Sequence, residues 1–137
     1  MADEPHPATP APGILVVDDD QIVLGLLKTV LVREGFQVWA SPSGHDALDV
    51  YGRNRDGIDL VLLDVCMPGL DGPGTLAELR RLNPAVRCCF MSGNTGPYSP
   101  EDLLGLGSLH FFEKPFQLVP LVERLGQLAR GGVRRSA

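Results

Sequence analysis

Hydrophobic and polar positions change rhythm ten times along this chain. "GILVV" (13–17) is a continuous apolar run, as expected of a strand buried on both faces. Asp20 then stands as an N-cap, and Ile22, Leu26, Leu27, Val30 and Leu31 repeat at helical spacing until Gly35 stops the helix. "FQVWA" (36–40) predicts a second strand. Ser43, with Asp46 three residues on, caps a second helix whose apolar side is Ala47, Leu48 and Tyr51. "IDLVLLD" (58–64) is a third strand, apolar almost throughout, and "CMPGLDG" (66–72) reads as loop. Leu76, Leu79 and Leu82 mark a third helix ended by Asn83-Pro84. "VRCCFMS" (86–92) predicts a fourth strand. Ser99-Pro100-Glu101-Asp102 opens a short fourth helix with a cap, an early proline and acids in its first turn. "LHFFEK" (109–114) is the fifth strand. Leu118 to Arg130 is the last helix, with Leu118, Leu121, Val122, Leu125 and Leu128 facing inward.

Strand and helix thus alternate five times, which predicts an α/β fold: a parallel sheet covered by helices on both faces. The expected domain spans residues 13–130. Before it lies "MADEPHPATPAP" (1–12), four of whose residues are proline, an expected disordered tail; 131–137 is a second tail. Only seven positions follow Arg130, so the sequence is expected to act as a stand-alone module with no output domain.

Composition narrows the classes. With 137 residues, 44% hydrophobic and 21% charged, the chain is long enough to bury one core without staples. A net charge of -5 argues against a nucleic-acid surface, which would be basic. No apolar run approaches the ~20 residues of a membrane span, and no signal peptide is evident. The three cysteines, Cys66, Cys88 and Cys89, suit packing in a reducing cytoplasm better than a disulfide framework. No zinc-type spacing, Walker sequence or dinucleotide fingerprint occurs.

The chemistry gathers at one edge. In parallel α/β sheets, ligands bind at the carboxyl ends of the strands. Strand 1 ends in Asp18-Asp19, strand 3 in Asp64, strand 4 in Ser92 and strand 5 in Lys114. Neighbouring carboxylates repel unless a cation compensates them, and three of them form a hard-oxygen site for Mg²⁺. Lysine and a hydroxyl beside them complete a phosphoryl-transfer set, with one carboxylate as nucleophile. Taken singly, each residue has a plainer reading. Asp20 is a helix cap, Ser92 a turn residue and Lys114 a surface lysine. Their coincidence at one edge carries the chemistry.

Four stretches, "ILVVDDD" (14–20), "DLVLLDVCMPGLDG" (59–72), "MSG" (91–93) and "FFEKPF" (111–116), give the chain its resemblance to the receiver domains of bacterial two-component response regulators, including stand-alone chemotaxis-type regulators. That resemblance implies a doubly wound, flavodoxin-like sheet of strand order 2-1-3-4-5. It implies that Asp64 accepts a phosphoryl group from a histidine kinase or a histidine phosphotransfer protein, and that binding of a downstream protein changes in response. Asp18, Asp19, Asp64 and the backbone carbonyl of Cys66 correspond to the Mg²⁺ ligands. Ser92 matches the switch hydroxyl, Lys114 the phosphate-binding lysine and Phe111 the switch aromatic. Cys66 and Asn94 match positions that tune phosphate lifetime, in either direction. Lys114-Pro115 matches a bond usually cis in the family. A cytoplasmic regulator, and not an enzyme, is implied, acting by partner binding or by relaying its phosphoryl group.

Three other readings compete. A haloacid-dehalogenase-type phosphatase also carries Asp-x-Asp after its first strand, but it needs later acids and a cap. A flavin-binding module needs a hydroxyl-rich phosphate loop where three aspartates stand. A receiver acting without phosphorylation would have no use for the full chemical set.

Overall fold

The computed structural model describes residues 11–93 and 95–132. The predicted N-terminal tail up to residue 10, Asn94 and residues 133–137 lie outside them. The strands are β1 (Gly13–Val17), β2 (Gln37–Ser41), β3 (Leu60–Asp64), β4 (Cys88–Ser92) and β5 (Phe111–Glu113). They form one parallel sheet in the order β2-β1-β3-β4-β5, as the resemblance implied. The helices are α1 (Gln21–Arg33), α2 (Gly44–Asn54), α3 (Gly72–Leu82), α4 (Pro100–Gly105) and α5 (Leu118–Gly132).

The sheet divides the core in two. On one face Ile14, Val16, Leu60, Leu62, Cys89 and Met91 pack against Leu24, Leu27 and Leu31 of α1 and Leu121, Leu125 and Ala129 of α5. On the other, Leu15, Val17, Val61, Leu63, Cys88 and Phe90 meet Tyr51 of α2, Leu76 and Leu79 of α3 and Leu103 of α4. Cys88 and Cys89 therefore face opposite sides, as neighbours on a strand must.

Local chemistry starts the helices where the sequence suggested. The Asp20 side chain accepts hydrogen bonds from the backbone N–H groups of Ile22 and Val23, and Ser43 accepts from Asp46. Ser99 and Asp102 close a capping box on α4, which has only six residues. The third helix begins earlier than its leucines suggest, because Asp71 caps it and Pro73 supplies the preset φ of a first turn. One phase differs from expectation in α1: Ile22 is 81% exposed and Leu26 45%, while Leu24 is buried. The helix turns its Leu24–Leu27–Leu31 line to the sheet, and Gly35, at φ 98, ends it with a backbone that only glycine adopts readily.

A candidate phosphoacceptor site at the carboxyl edge of the sheet

Parallel register delivers the predicted residues to one place. Val17 pairs with Ser41 and Leu63, Asp64 with Met91, and Ser92 with Glu113. Asp18, Asp64, Ser92 and Lys114 thereby sit at or one residue past adjacent strand ends. One carboxylate oxygen from each of Asp18, Asp19 and Asp64 lies within 4.8 Å of the other two. Asp18, Asp64 and Ser92 are buried, whereas Asp19 is exposed.

Asp18 is held at both oxygens. Its Oδ1 accepts from the Asp20 N–H at 2.9 Å and its Oδ2 from Lys114 Nζ at 2.8 Å. The same ammonium stands 3.6 Å from Asp64 Oδ1. Lysine thus supplies directly part of the charge compensation that the sequence reading assigned to a metal. Burial draws the Lys114 ammonium down, but the hydrogen bond to Asp18 and the charges of Asp64 and Asp18 outweigh it and hold it above its ordinary value. Asp64 goes the other way. Burial and the Asp18 charge push its carboxyl up to about 7 against the pull of Lys114, with Asp19 and a hydrogen bond with Asp18 adding to the rise. One lysine does not neutralise three carboxylates, and the residue that ends the central strand is the one that gives up its proton less readily.

Asp64 is also fixed from behind. The Gly72 N–H donates to Val65 O at 2.8 Å, and a Cβ at Gly72 would stand 2.5 Å from the Asp64 carbonyl oxygen, so only glycine lets α3 seat so closely there. The Lys114 backbone is fixed in turn by its N–H, which donates to Ser92 O at 3.1 Å; its bond to Pro115 is cis, as the resemblance implied.

The remaining predicted residues are Cys66, Phe111 and Asn94. Cys66 is exposed in the β3–α3 loop, where its slight burial and the charges of Asp64, Asp71 and Asp19 push its thiol up. Phe111 is half-buried, pairs in register with Phe90 and packs on the core beneath α4. Asn94 lies outside the described residues. Sequence reasoning missed one pair altogether. The Tyr98 hydroxyl donates to Asp71 Oδ2 at 2.9 Å, tying the β4–α4 loop to the β3–α3 loop. That hydrogen bond, with burial and the Asp71 charge, raises the phenol above its ordinary value. Asp71 before Gly-Pro could have been read as a cap; Tyr98 carried no signal. A cavity of about 330 Å³ lined by Tyr51, Arg55, Asp59 and Arg87 lies at the other edge of the sheet and contains none of these groups.

A buried carboxyl among acids, a fixed lysine and a strand-end hydroxyl at the carboxyl edge of a 2-1-3-4-5 sheet form the candidate phosphoacceptor centre of a receiver-type fold. Residues 14–126 match the model of the response regulator receiver domain, and the chain belongs to that family. It is 36% identical over 120 residues to the transcriptional regulatory protein PrrA of Mycobacterium bovis, covering 88% of this chain and 51% of that protein. The chain thus spans about half the length of that relative. Sporulation initiation phosphotransferase F of Bacillus subtilis is 34% identical, over 77% of this chain and 83% of its own length. Among solved structures, that of the CheX–CheY–BeF3–Mg complex from Borrelia burgdorferi superposes with a TM-score of 0.76 at 26% identity, covering 84% of this chain and 87% of that one.

Proposed function

We propose that Asp64 is the residue that takes up a phosphoryl group, and that this chain is a phosphorylation-controlled signalling module. The convergence of Asp18, Asp19 and Asp64 within 4.8 Å, with one lysine against Asp18 and Asp64, carries the reading. An Asp64 oxygen attacks the phosphorus of a phosphohistidine; the O–P bond forms, the P–N bond breaks, and the imidazole leaves with a proton. The donor is a histidine kinase or a histidine phosphotransfer protein, and the phosphorylated chain alters its hold on a downstream protein in the cytoplasm. Residues 13–130 carry this activity, and the chain is a regulator and not a turnover enzyme.

The donor set fits Mg²⁺: oxygen ligands only, surplus negative charge, and an exposed member, Asp19, open to solvent. Asp18, Asp19, Asp64 and the Cys66 carbonyl would hold it, and it would neutralise charge on the phosphoryl oxygens. The presence of BeF3 and Mg in the Borrelia complex supports that assignment. The chain's own residues do the rest. Lys114 stands ready to move from Asp18 and Asp64 to a phosphoryl oxygen, and Ser92 donates its hydroxyl to another. Phe111, on the neighbouring strand, follows Ser92 by filling the space it leaves. Cys66, in the loop after Asp64, sets how readily water reaches the group, and for Asn94, outside the described residues, the same role rests on the resemblance alone.

The test is mass spectrometry after incubation with acetyl phosphate and Mg²⁺. One added phosphoryl group is expected in the wild type and none in Asp64→Asn. Equal labelling of Asp64→Asn would refute the assignment. Turnover of a phosphomonoester at a catalytic rate would instead favour a phosphatase.

A further inference from the structure

We propose that Tyr98 is a positioning residue for this site: its hydrogen bond to Asp71 clasps the β4–α4 loop to the α3 end and holds the unphosphorylated arrangement. This inference deepens the phosphoacceptor reading and rests on it. Asp71 uses both oxygens. Its Oδ1 accepts from the Gly74 N–H at 2.8 Å and so caps α3, while Oδ2 accepts from the Tyr98 hydroxyl at 2.9 Å. The next residue, Gly72, is seated on the Asp64 carbonyl. The tyrosine is therefore tied, through one carboxylate, to the backbone of the phosphorylated residue itself.

Its other connections run toward the switch. Thr95 donates its hydroxyl to the Tyr98 carbonyl, and the Tyr98 N–H donates to Thr95 O at 3.2 Å, so residues 95–98 form a closed turn. Gly96, at the apex, has φ 64, and a Cβ there would stand 3.1 Å from the Cys66 sulfur. The turn lies against the β3–α3 loop at two points, through Gly96 and through Tyr98. Ser99 follows immediately and caps α4, so fixing Tyr98 fixes where α4 begins. The Tyr98 ring packs on the same core cluster as Phe111. Ser92 ends β4, the strand that feeds this loop. Any shift of Ser92 toward a phosphoryl group pulls on a segment anchored at Asp71, and the clasp opposes it. A hydrogen bond to a carboxylate is strong enough to bias a two-state equilibrium about tenfold.

The experiment compares wild type, Tyr98→Phe, Asp71→Asn and the double variant in the full chain. Tyr98→Phe keeps the ring and its packing, and the side-chain amide introduced by Asp71→Asn would still offer one oxygen to the Gly74 N–H. Two readouts are taken: the rate of labelling by acetyl phosphate with Mg²⁺, and amide shifts over residues 95–113 with and without beryllofluoride. Each single variant is expected to label about tenfold faster than wild type, and its unmodified amide shifts should lie part-way along the line to the beryllofluoride position. The double variant should add nothing to either single one. A merely structural role would slow labelling or scatter the shifts off that line. Rates within twofold of wild type and unmoved shifts in Tyr98→Phe would overturn the proposal, as would additive effects in the double variant. If neither wild type nor variants label, the phosphoacceptor reading falls and this inference falls with it.

Discussion

Lys114 Nζ lies 2.8 Å from Asp18 Oδ2, joining residues 96 positions apart at the ends of β5 and β1. The lysine side chain is 21% exposed and the aspartate 0%. Removing the cation leaves the buried Asp18 carboxylate beside Asp64 with no positive partner among the described residues. Lys114→Met is expected to lower the stability of the metal-free chain by about 3 kcal/mol in urea melts, the usual scale for breaking a buried pair on one side. Mg²⁺ should recover more stability in this variant than in wild type, because it replaces the missing charge.

Asp64 gives metal-free stability a pH dependence. Its carboxyl sits at about 7 in the folded chain against an ordinary value of 3.8. Between those values the folded chain binds more protons than the unfolded one. The stability this group contributes is therefore complete below about 3.8 and is lost as pH rises through 7. Metal-free urea midpoints should fall as the pH is raised from the acid side of 7 to the alkaline side, and Asp64→Asn should flatten most of that slope. A slope left intact in the variant would place the titration elsewhere.

Asp19 is the exposed member of the carboxylate group, so its charge matters more than its packing. Asp19→Asn should weaken Mg²⁺ binding about tenfold or more while raising the metal-free melting temperature slightly, by relieving like-charge crowding. Thermal melts with and without Mg²⁺ check both halves. A lower metal-free melting temperature with a full Mg²⁺ response would contradict the site.

Ser92→Ala separates chemistry from switching. The variant should still gain one phosphoryl group on Asp64, because the nucleophile and Lys114 remain. Its amides over residues 95–125 should shift far less with beryllofluoride than those of wild type, because nothing draws β4 toward the phosphoryl group and Phe111 gains no space. Equal shifts would mean that the coupling runs by another route.

The sheet and the main residues of its edge were legible because parallel β-α repeats leave one arrangement for strand ends, and because four of the five strands ended in a distinct chemical group. Helix α1 differs in phase for a physical reason. Ile22 and Leu26 are as apolar as Leu24, and periodicity alone does not say which line meets the sheet. Contacts between distant residues were less accessible. The position of Lys114 at the site follows from its strand end, yet its pairing with Asp18 in the unmodified chain depends on how the β1 and β5 ends approach across β3 and β4. The Tyr98–Asp71 bond joins two loops 27 positions apart, and neither loop has a periodicity that would place it.

The central claim is that Asp64 itself carries the phosphoryl group. An acyl phosphate is reduced by borohydride to an alcohol, which marks the modified side chain permanently. Wild-type chain treated with acetyl phosphate and Mg²⁺, then borohydride, should yield homoserine at position 64 in peptide sequencing by mass spectrometry. It should yield none when Mg²⁺ is withheld. Homoserine at position 18 or 19 with position 64 unchanged would contradict the account.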